Sequence, residues 1–222
     1  MSPPEQLAGV SVGVETPVTP APDAPGILLG HGAGSDFQET LLVAVARGLA
    51  TQGHPTCRFN FPYRQAGRRM PDRGPALEAS VCAVAEAWRS ASVPPIRALV
   101  AGGKSMGGRI ASLAVAHGHL TCQGLLFLGY PLHPPGKIDR LRTAHLGQIE
   151  VPMLFVSGTR DRLARLDLLE AAVADLGDRA HLHIIPDGDH SLKVLKRTQR
   201  PQEDVYAEVV DTTAKWLATH IT

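Results

Sequence analysis

Three residues of this chain are of the types that together carry out nucleophilic catalysis: Ser105, Asp161 and His190. A serine hydroxyl is a weak nucleophile near neutral pH, and it needs a base within hydrogen-bond reach, usually an imidazole that a carboxylate orients. The chain order Ser, Asp, His is the order found when the serine lies on a turn above an open parallel sheet. These residues therefore predict cleavage of an acyl bond through a covalent intermediate.

The local sequence around the serine supports this prediction. Ser105 is the centre of Gly103-Lys104-Ser105-Met106-Gly107, which has the form G-x-S-x-G. An apolar run at 98–101 precedes the motif and a helix-compatible run at 110–116 follows it, so we predict a strand, a sharp turn and a helix. Glycine suits the flanking positions because so tight a turn excludes bulky side chains.

Two other interpretations of this motif were weighed. Gly103-Lys104-Ser105 also looks like the end of a Walker phosphate-binding loop, but that loop needs a glycine where Ala98 stands. A glycine-flanked turn serine without chemistry is the second alternative. Both partner residues lie in loops that follow predicted strands, which favours catalysis.

The acid of the set has competing candidates. Asp161 follows a predicted strand, but it also precedes an apolar run at 163–169 and would suit a helix N-cap. Asp187 and Asp189 lie nearer in sequence to His190. A side chain adjoining the histidine normally points elsewhere, so we predict that Asp161 orients His190.

Short apolar runs alternate with helical patterns along the chain, which predicts an α/β fold: a mostly parallel sheet of about six to seven strands with helices on both faces. The predicted strands lie at 10–14, 27–29, 56–61, 98–101, 124–129, 153–156 and 181–185, and the predicted helices at 35–53, 75–93, 106–117, 166–176 and 205–217. In such sheets ligands bind outside the carboxyl ends of the strands, so the loops that follow the strands should hold the chemistry.

Some local features are also predicted. Ser35 with Gln38 should form a capping box at the start of the first helix, and Pro75 suits a first helical position. The stretch 62–75 is rich in Pro, Gly and Arg and should be a loop. We expect residues 1–222 to form a single domain with residues 1–9 flexible.

The composition excludes several classes of protein. A formal net charge of +1 argues against a protein that coats nucleic acid or an anionic membrane. The first residues do not have a leader pattern, and no apolar stretch reaches the roughly 20 residues of a membrane span, so we expect a cytoplasmic protein. Cys57, Cys82 and Cys122 are odd in number and are expected to be buried thiols.

The sequence resembles the α/β-hydrolase superfamily over nearly its whole length. The resemblance is carried by the ordered residues Ser105, Asp161 and His190, and by His31-Gly32-Ala33-Gly34 in the loop after an early strand. It implies an oxyanion hole formed by the backbone N–H groups of Ala33 and Met106, and no cofactor.

Two further stretches carry a narrower resemblance: Phe59-Asn60-Phe61-Pro62-Tyr63 and Gly129-Tyr130-Pro131-Leu132-His133-Pro134-Pro135-Gly136-Lys137. Both are similar to small hydrolases grouped with testis-expressed proteins and with the hydrolase-like domain of a subunit of the NSL chromatin complex. This group adjoins the dienelactone-hydrolase-like enzymes, which often use cysteine where serine stands here. The chromatin-associated relatives suggest a hydrolase-fold binding or scaffold protein as an alternative to an enzyme.

Many α/β-hydrolases insert a helical lid before the strand that precedes the acid. Here about two dozen residues separate the two strands, barely room for one helix. We therefore expect an open, lidless site and, as substrate, a small ester or thioester with a short or bulky polar acyl group.

Basic residues cluster beside the predicted site: Arg64, Arg68, Arg69 and Lys104. One hypothesis is that they bind an anionic substrate. The alternative is a solvated surface whose cations pair with carboxylates such as Asp72.

Histidines outside the predicted triad were considered as bases and as metal ligands. His31 is expected to orient its glycine-rich loop rather than to act as a base. The pairs His117/His119 and His181/His183 invite a metal interpretation, but neither has a third ligand at a useful spacing, so no metal site is predicted.

Overall fold

The computed structural model describes residues 5–21, 23–92 and 95–221. Its strands are β1 (Gln6–Leu7), β2 (Val10–Glu15), β3 (Gly26–Gly30), β4 (Thr56–Phe59), β5 (Leu99–Lys104), β6 (Gly124–Leu128), β7 (Met153–Gly158) and β8 (Ala180–Ile185). Its α-helices are α1 (Thr40–Thr51), α2 (Pro62–Gln65), α3 (Gly74–Ala91), α4 (Met106–Ala116), α5 (Leu166–Asp175) and α6 (Gln202–His220). Short 3-10 turns lie at Leu146–Gln148, Gly177–Arg179 and Lys196–Thr198.

The eight strands form one sheet in the order β1-β2-β4-β3-β5-β6-β7-β8. The pairs β1/β2 and β2/β4 are antiparallel, and every other neighbouring pair is parallel. The predicted α/β fold with a mostly parallel sheet is confirmed. The count exceeds the predicted six to seven because β1 has only two residues, which is too short to show a periodic pattern.

The amino terminus differs from the expectation of flexibility over residues 1–9. Residues 1–4 lie outside the described part of the chain. Gln6 and Leu7 pair with Ser11 and Val10, so part of this segment forms the edge of the sheet. Backbone hydrogen bonds to β2 give it a fixed position that its polar sequence does not signal.

The sheet is covered on both faces, and its strands show how. In β6, Leu125 and Phe127 pack in the layer that contains α3, α4 and α5, whereas Leu126 and Leu128 pack against α1 and α6. All five residues of β6 are buried. Because successive side chains of a strand alternate between faces, burial on both faces requires the continuous apolar runs seen in the sequence.

Two predicted details at the helix starts are corrected. The helix α1 begins at Thr40, and its N-cap residue Glu39 makes no side-chain capping bond. Ser35 Oγ donates to the carbonyl of Gly32 (3.2 Å), and the Gln38 N–H donates to Asp36 (2.9 Å). The predicted capping box of Ser35 and Gln38 is therefore wrong, because the loop binds both groups before the helix starts.

The stretch 62–75 is not wholly a loop, since its first four residues form α2. Pro75 lies in the first turn of α3, as predicted. The helix α3 ends at Ala91, and the predicted stop at Pro94 lies outside the described residues.

The segment between β6 and β7 contains no α-helix, only the 3-10 turn at Leu146–Gln148. The prediction of a lidless fold is confirmed. Among the described helices, none combines the length and the apolar character needed to cross a membrane.

Candidate active site

Ser105 occupies a strained turn between β5 and α4. Its backbone has φ 50° and ψ −113°, a region that residues with a side chain rarely adopt. A Cβ atom at Gly103 or Gly107 would collide with the backbone of Gly30 in the neighbouring β3. The two glycines of the motif therefore allow β3 to approach the turn, and this approach holds Ser105 at the carboxyl edge of the sheet.

The three residues predicted from chain order meet in one line of hydrogen bonds. His190 Nε2 lies 2.8 Å from Ser105 Oγ. On the other side of the ring, His190 Nδ1 lies 2.9 Å and 2.8 Å from the two carboxylate oxygens of Asp161. A carboxylate accepts only, so the Nδ1–H donates to Asp161 and Nε2 is left free to accept the serine proton.

The position of Asp161 separates the competing acids. Its Oδ1 also accepts the N–H of Leu163 (2.7 Å), and it does not cap α5, which starts after Arg165. Asp189 turns away from the imidazole, because its Oδ1 accepts the N–H groups of Ser191 and Lys193. Of the acids considered, the structure brings only Asp161 to His190.

Ser105 and His190 are both accessible from solution, whereas the acid is not. Ser105 is partly exposed, the His190 side chain is 20% exposed and the Asp161 side chain is fully buried. A molecule from solution can therefore reach Ser105, while the carboxylate of Asp161 is shielded from solvent. Electrostatic interactions are stronger there than in water.

The predicted oxyanion-hole residues flank the serine. A Cβ atom placed on Gly32 would lie 3.7 Å from Ser105 Cβ, so the loop that carries Ala33 runs beside the nucleophile. Met106 is the first residue of α4, and its N–H is among the four that an α-helix leaves without an internal partner. The positive end of the helix dipole lies at the same point.

His31 and Tyr63 fix the loop of Ala33. His31 Nδ1 lies 2.7 Å from the Gly32 carbonyl, and its Nε2 accepts the N–H of Phe61 (3.1 Å). Burial lowers the pKa of His31 to about 4, so the ring is neutral with one donor and one acceptor, as these two bonds require. This geometry agrees with the predicted loop-orienting role.

Sequence reasoning missed Tyr63, whose hydroxyl donates to the carbonyl of Ala33 (2.8 Å). Its signal in the sequence is the aromatic alternation Phe59, Phe61, Tyr63, which by itself does not indicate a contact with the loop of Ala33. The rings of Phe61 and Tyr63 both pack around His31.

The four basic residues predicted to bind substrate mostly have carboxylate partners. The pairs are Arg64 with Asp36 (3.6 Å), Arg68 with Asp72 (2.7 Å) and Lys104 with Glu39 (3.5 Å). Arg69 is exposed. The pairing favours the alternative of a solvated, neutralised surface, and binding of an anionic substrate stays a prediction.

The chain is similar to known proteins in both sequence and structure. The α/β-hydrolase domain family matches residues 23–218. A dienelactone hydrolase from Anabaena variabilis is similar in structure, with a TM-score of 0.73 at 19% identity over 96% of this chain and 93% of that one. An α/β serine hydrolase without a lid from Xanthomonas campestris has a TM-score of 0.67 at 19% identity, over 93% and 89% of the two chains.

The ferulic-acid-bound Est1E of Butyrivibrio proteoclasticus has a TM-score of 0.73 at 17% identity, over 96% of this chain and 98% of that one. At these identities the solved structures show the fold alone. The family match covers most of the chain and includes the turn at Ser105, the loop of Asp161 and the loop of His190. The chain belongs to the α/β-hydrolase domain family.

Proposed function

We propose that this protein is a serine hydrolase that cleaves carboxylic esters or thioesters through an acyl-enzyme. The observation that carries the proposal is the unbroken line of hydrogen bonds from Ser105 through His190 to the buried Asp161. A protein that only binds a partner needs none of these three residues in this arrangement.

The geometry supports a two-stage reaction. Ser105 Oγ attacks the substrate carbonyl carbon while His190 Nε2 takes the serine proton, and a tetrahedral oxyanion forms. The bond to the leaving alcohol or thiol then breaks, and His190 returns the proton to that group. In the second stage His190 takes a proton from a water molecule, whose oxygen attacks the acyl carbon. The bond from that carbon to Ser105 Oγ then breaks, His190 returns the proton to Ser105 Oγ, and the carboxylic acid leaves.

The oxyanion is assigned to the N–H groups of Ala33 and Met106. Each such donor typically contributes about 10²- to 10³-fold in turnover. The bonds of His31 and Tyr63 to the loop orient the Ala33 donor before substrate arrives. No reorganisation is then needed as the charge develops, which is the condition for efficient electrostatic stabilisation.

The open site suggests which esters to test. Without a lid there is no apolar tunnel for a long acyl chain, so short acyl groups and bulky aromatic ones fit best. The structural relative Est1E has been solved with ferulic acid, an aromatic carboxylic acid, bound to it. We therefore propose phenolic and short aliphatic acyl esters as the first substrate panel, with matched thioesters.

A fluorophosphonate probe tests the proposal directly, since it reacts covalently with activated serines. Wild-type protein should be labelled at Ser105, and Ser105→Ala should not. Turnover of any ester found should fall by about 10⁴- to 10⁶-fold in the variant, because triad members act as a unit.

Ser112 provides a matched control, since it lies on α4, the helix that directly follows Ser105. Its Oγ lies 2.8 Å from His145 Nε2, so it also forms a serine–histidine pair, but it is fully buried. Ser112→Ala should therefore keep wild-type labelling. Labelling of Ser105→Ala at the wild-type rate would refute the proposal, and absence of labelling in wild-type protein would favour the binding-protein alternative.

A further inference from the structure

Two histidines and a glutamate converge away from the candidate active site, between α3 and the turn that follows α4. His117 Nδ1 lies 2.8 Å and His119 Nδ1 lies 3.4 Å from the same oxygen, Oε2 of Glu78. One potential ligand atom from each residue lies within 4.8 Å of the other two. Within the ranges 5–21, 23–92 and 95–221, no other such group of three His, Cys, Asp or Glu residues occurs.

The carboxylate of Glu78 is buried without a Lys or Arg partner in the part of the chain that the structure describes. Its side chain is 6% exposed, and among the described residues its ion-pair partners are His117 and His119 alone. A buried carboxylate is costly unless a positive charge accompanies it, and a neutral imidazole supplies none. A divalent cation between the three side chains would supply this charge.

The cluster is also accessible from solution. The side chains of His117 and His119 are 46% and 62% exposed, and both line an open groove together with Glu78 and Cys82. An ion can therefore enter without unfolding of either helix, and a water molecule can complete its coordination.

We propose that Glu78, His117 and His119 form a binding site for a divalent transition metal, with Zn²⁺ as the best-fitting ion. Two imidazoles and one carboxylate with an open fourth position are a common zinc donor set. Bonds of roughly 2.1 Å in a tetrahedron place ligand atoms about 3.4 Å apart. The His119–Glu78 distance already has this value, and the His117–Glu78 pair, at 2.8 Å, need only separate slightly to admit the ion.

The fold favours a cation at this position and keeps it away from the nucleophile. His117 directly follows the last residue of α4, where the helix dipole is negative. Ser105 precedes the same helix, so the site lies about 18 Å from the nucleophile at a rise of 1.5 Å per residue. An ion here joins α3 to the end of α4 and does not touch the reacting atoms.

The experiment uses the full chain freed of metal by chelation and dialysis. Zn²⁺ should raise the midpoint of thermal unfolding of the wild-type protein. Co²⁺, which replaces zinc and absorbs visible light, should give the intense d–d bands of a four-coordinate site. His117→Ala/His119→Ala should lose both responses.

Two controls distinguish this site from adventitious binding. His181→Ala/His183→Ala removes a second pair of histidines at the same sequence spacing and should keep both responses. Cys82→Ser removes the nearest thiol, whose Sγ lies 3.4 Å from the His119 carbonyl, and should also keep both.

The proposal is overturned if wild-type protein shows neither response, if the His117/His119 double variant keeps them, or if Cys82→Ser abolishes them. Should that double variant fold poorly, His119→Gln changes only the more exposed ligand. Equilibrium dialysis against Zn²⁺ at a temperature where this variant is folded should then show loss of one bound ion per chain, and unchanged binding would likewise overturn the proposal.

Discussion

Replacement of Asp161 by Asn is the sharpest test of how the acid acts. The fully buried carboxylate makes three contacts: two with His190 Nδ1, at 2.9 Å and 2.8 Å, and one with the N–H of Leu163, at 2.7 Å. An asparagine of nearly the same shape can keep only one oxygen. The Leu163 N–H needs that oxygen as its acceptor at the Oδ1 position, so the amide NH₂ is expected to replace Oδ2, which makes the nearer of the two contacts to His190 Nδ1.

The expected loss follows from the tautomer of the histidine. An NH₂ group facing Nδ1 makes this nitrogen an acceptor and moves the ring proton to Nε2, which lies 2.8 Å from Ser105 Oγ. His190 then cannot take the serine proton. We expect kcat to fall by about 10⁴-fold, equivalent to about 5 kcal/mol of transition-state stabilisation. KM should change little, because the acid does not contact the substrate.

The assay compares Asp161→Asn with Asp189→Asn on the best ester of the panel, with urea unfolding of each variant. Asp189 Oδ1 accepts two backbone N–H groups, which an asparagine oxygen can also do, so activity should stay within a few-fold of wild type. If Asp189→Asn causes the larger loss, or Asp161→Asn retains activity within about tenfold of wild type, the assignment of the acid is wrong.

Two further predictions concern the surroundings of the triad. Burial lowers the pKa of His31 from 6.5 to about 4, so below pH 6.5 the unfolded chain binds a proton that the folded protein does not. Stability is therefore lost as the pH falls from about 6.5 towards 4. Between about pH 7 and pH 5, the unfolding free energy measured in urea should fall by about 2 kcal/mol more in wild type than in His31→Gln. Equal losses in the two proteins would show that His31 does not contribute. In Gly158→Ala, the added Cβ meets the backbone of Gly188. We expect this variant to lose about 1–3 kcal/mol of unfolding free energy and to turn over ester more slowly. Unchanged stability would show that the two loops separate easily.

The parts of the fold that the sequence predicted are those with strong local patterns. Fully buried strands require continuous apolar runs, so the sequence alone indicates β3, β6 and β7 without any contact information. The serine turn has its own glycine signature, and chain order then limited the choice of partner residues. These signals are local in sequence, which is why a single sequence carries them.

The structural features that the sequence did not predict depend on contacts between distant segments or on competing hydrogen bonds within a loop. Ser35 and Gln38 have the spacing of a capping box, but Asp36 binds the Gln38 N–H first and the helix starts later. Glu78 is separated from His117 by 39 positions and lies on a different helix. Only the packing of α3 on α4 brings these residues together, so no spacing rule could have shown that Glu78 lies beside the two histidines.

The positioning of the triad depends on close backbone contacts that spacing alone does not reveal. The approach of Gly158 to Gly188 joins the loop of Asp161 to the loop of His190, and a Cβ atom at Gly129 would lie 2.5 Å from the carbonyl of His190. Neighbouring loops thus touch through backbone where a side chain would hold them apart. A misplacement of about 1 Å can cost on the order of 10²-fold in rate. The glycines at the ends of β6 and β7 therefore set the geometry of the candidate site: they allow the histidine loop to lie close enough to the serine turn for a 2.8 Å hydrogen bond.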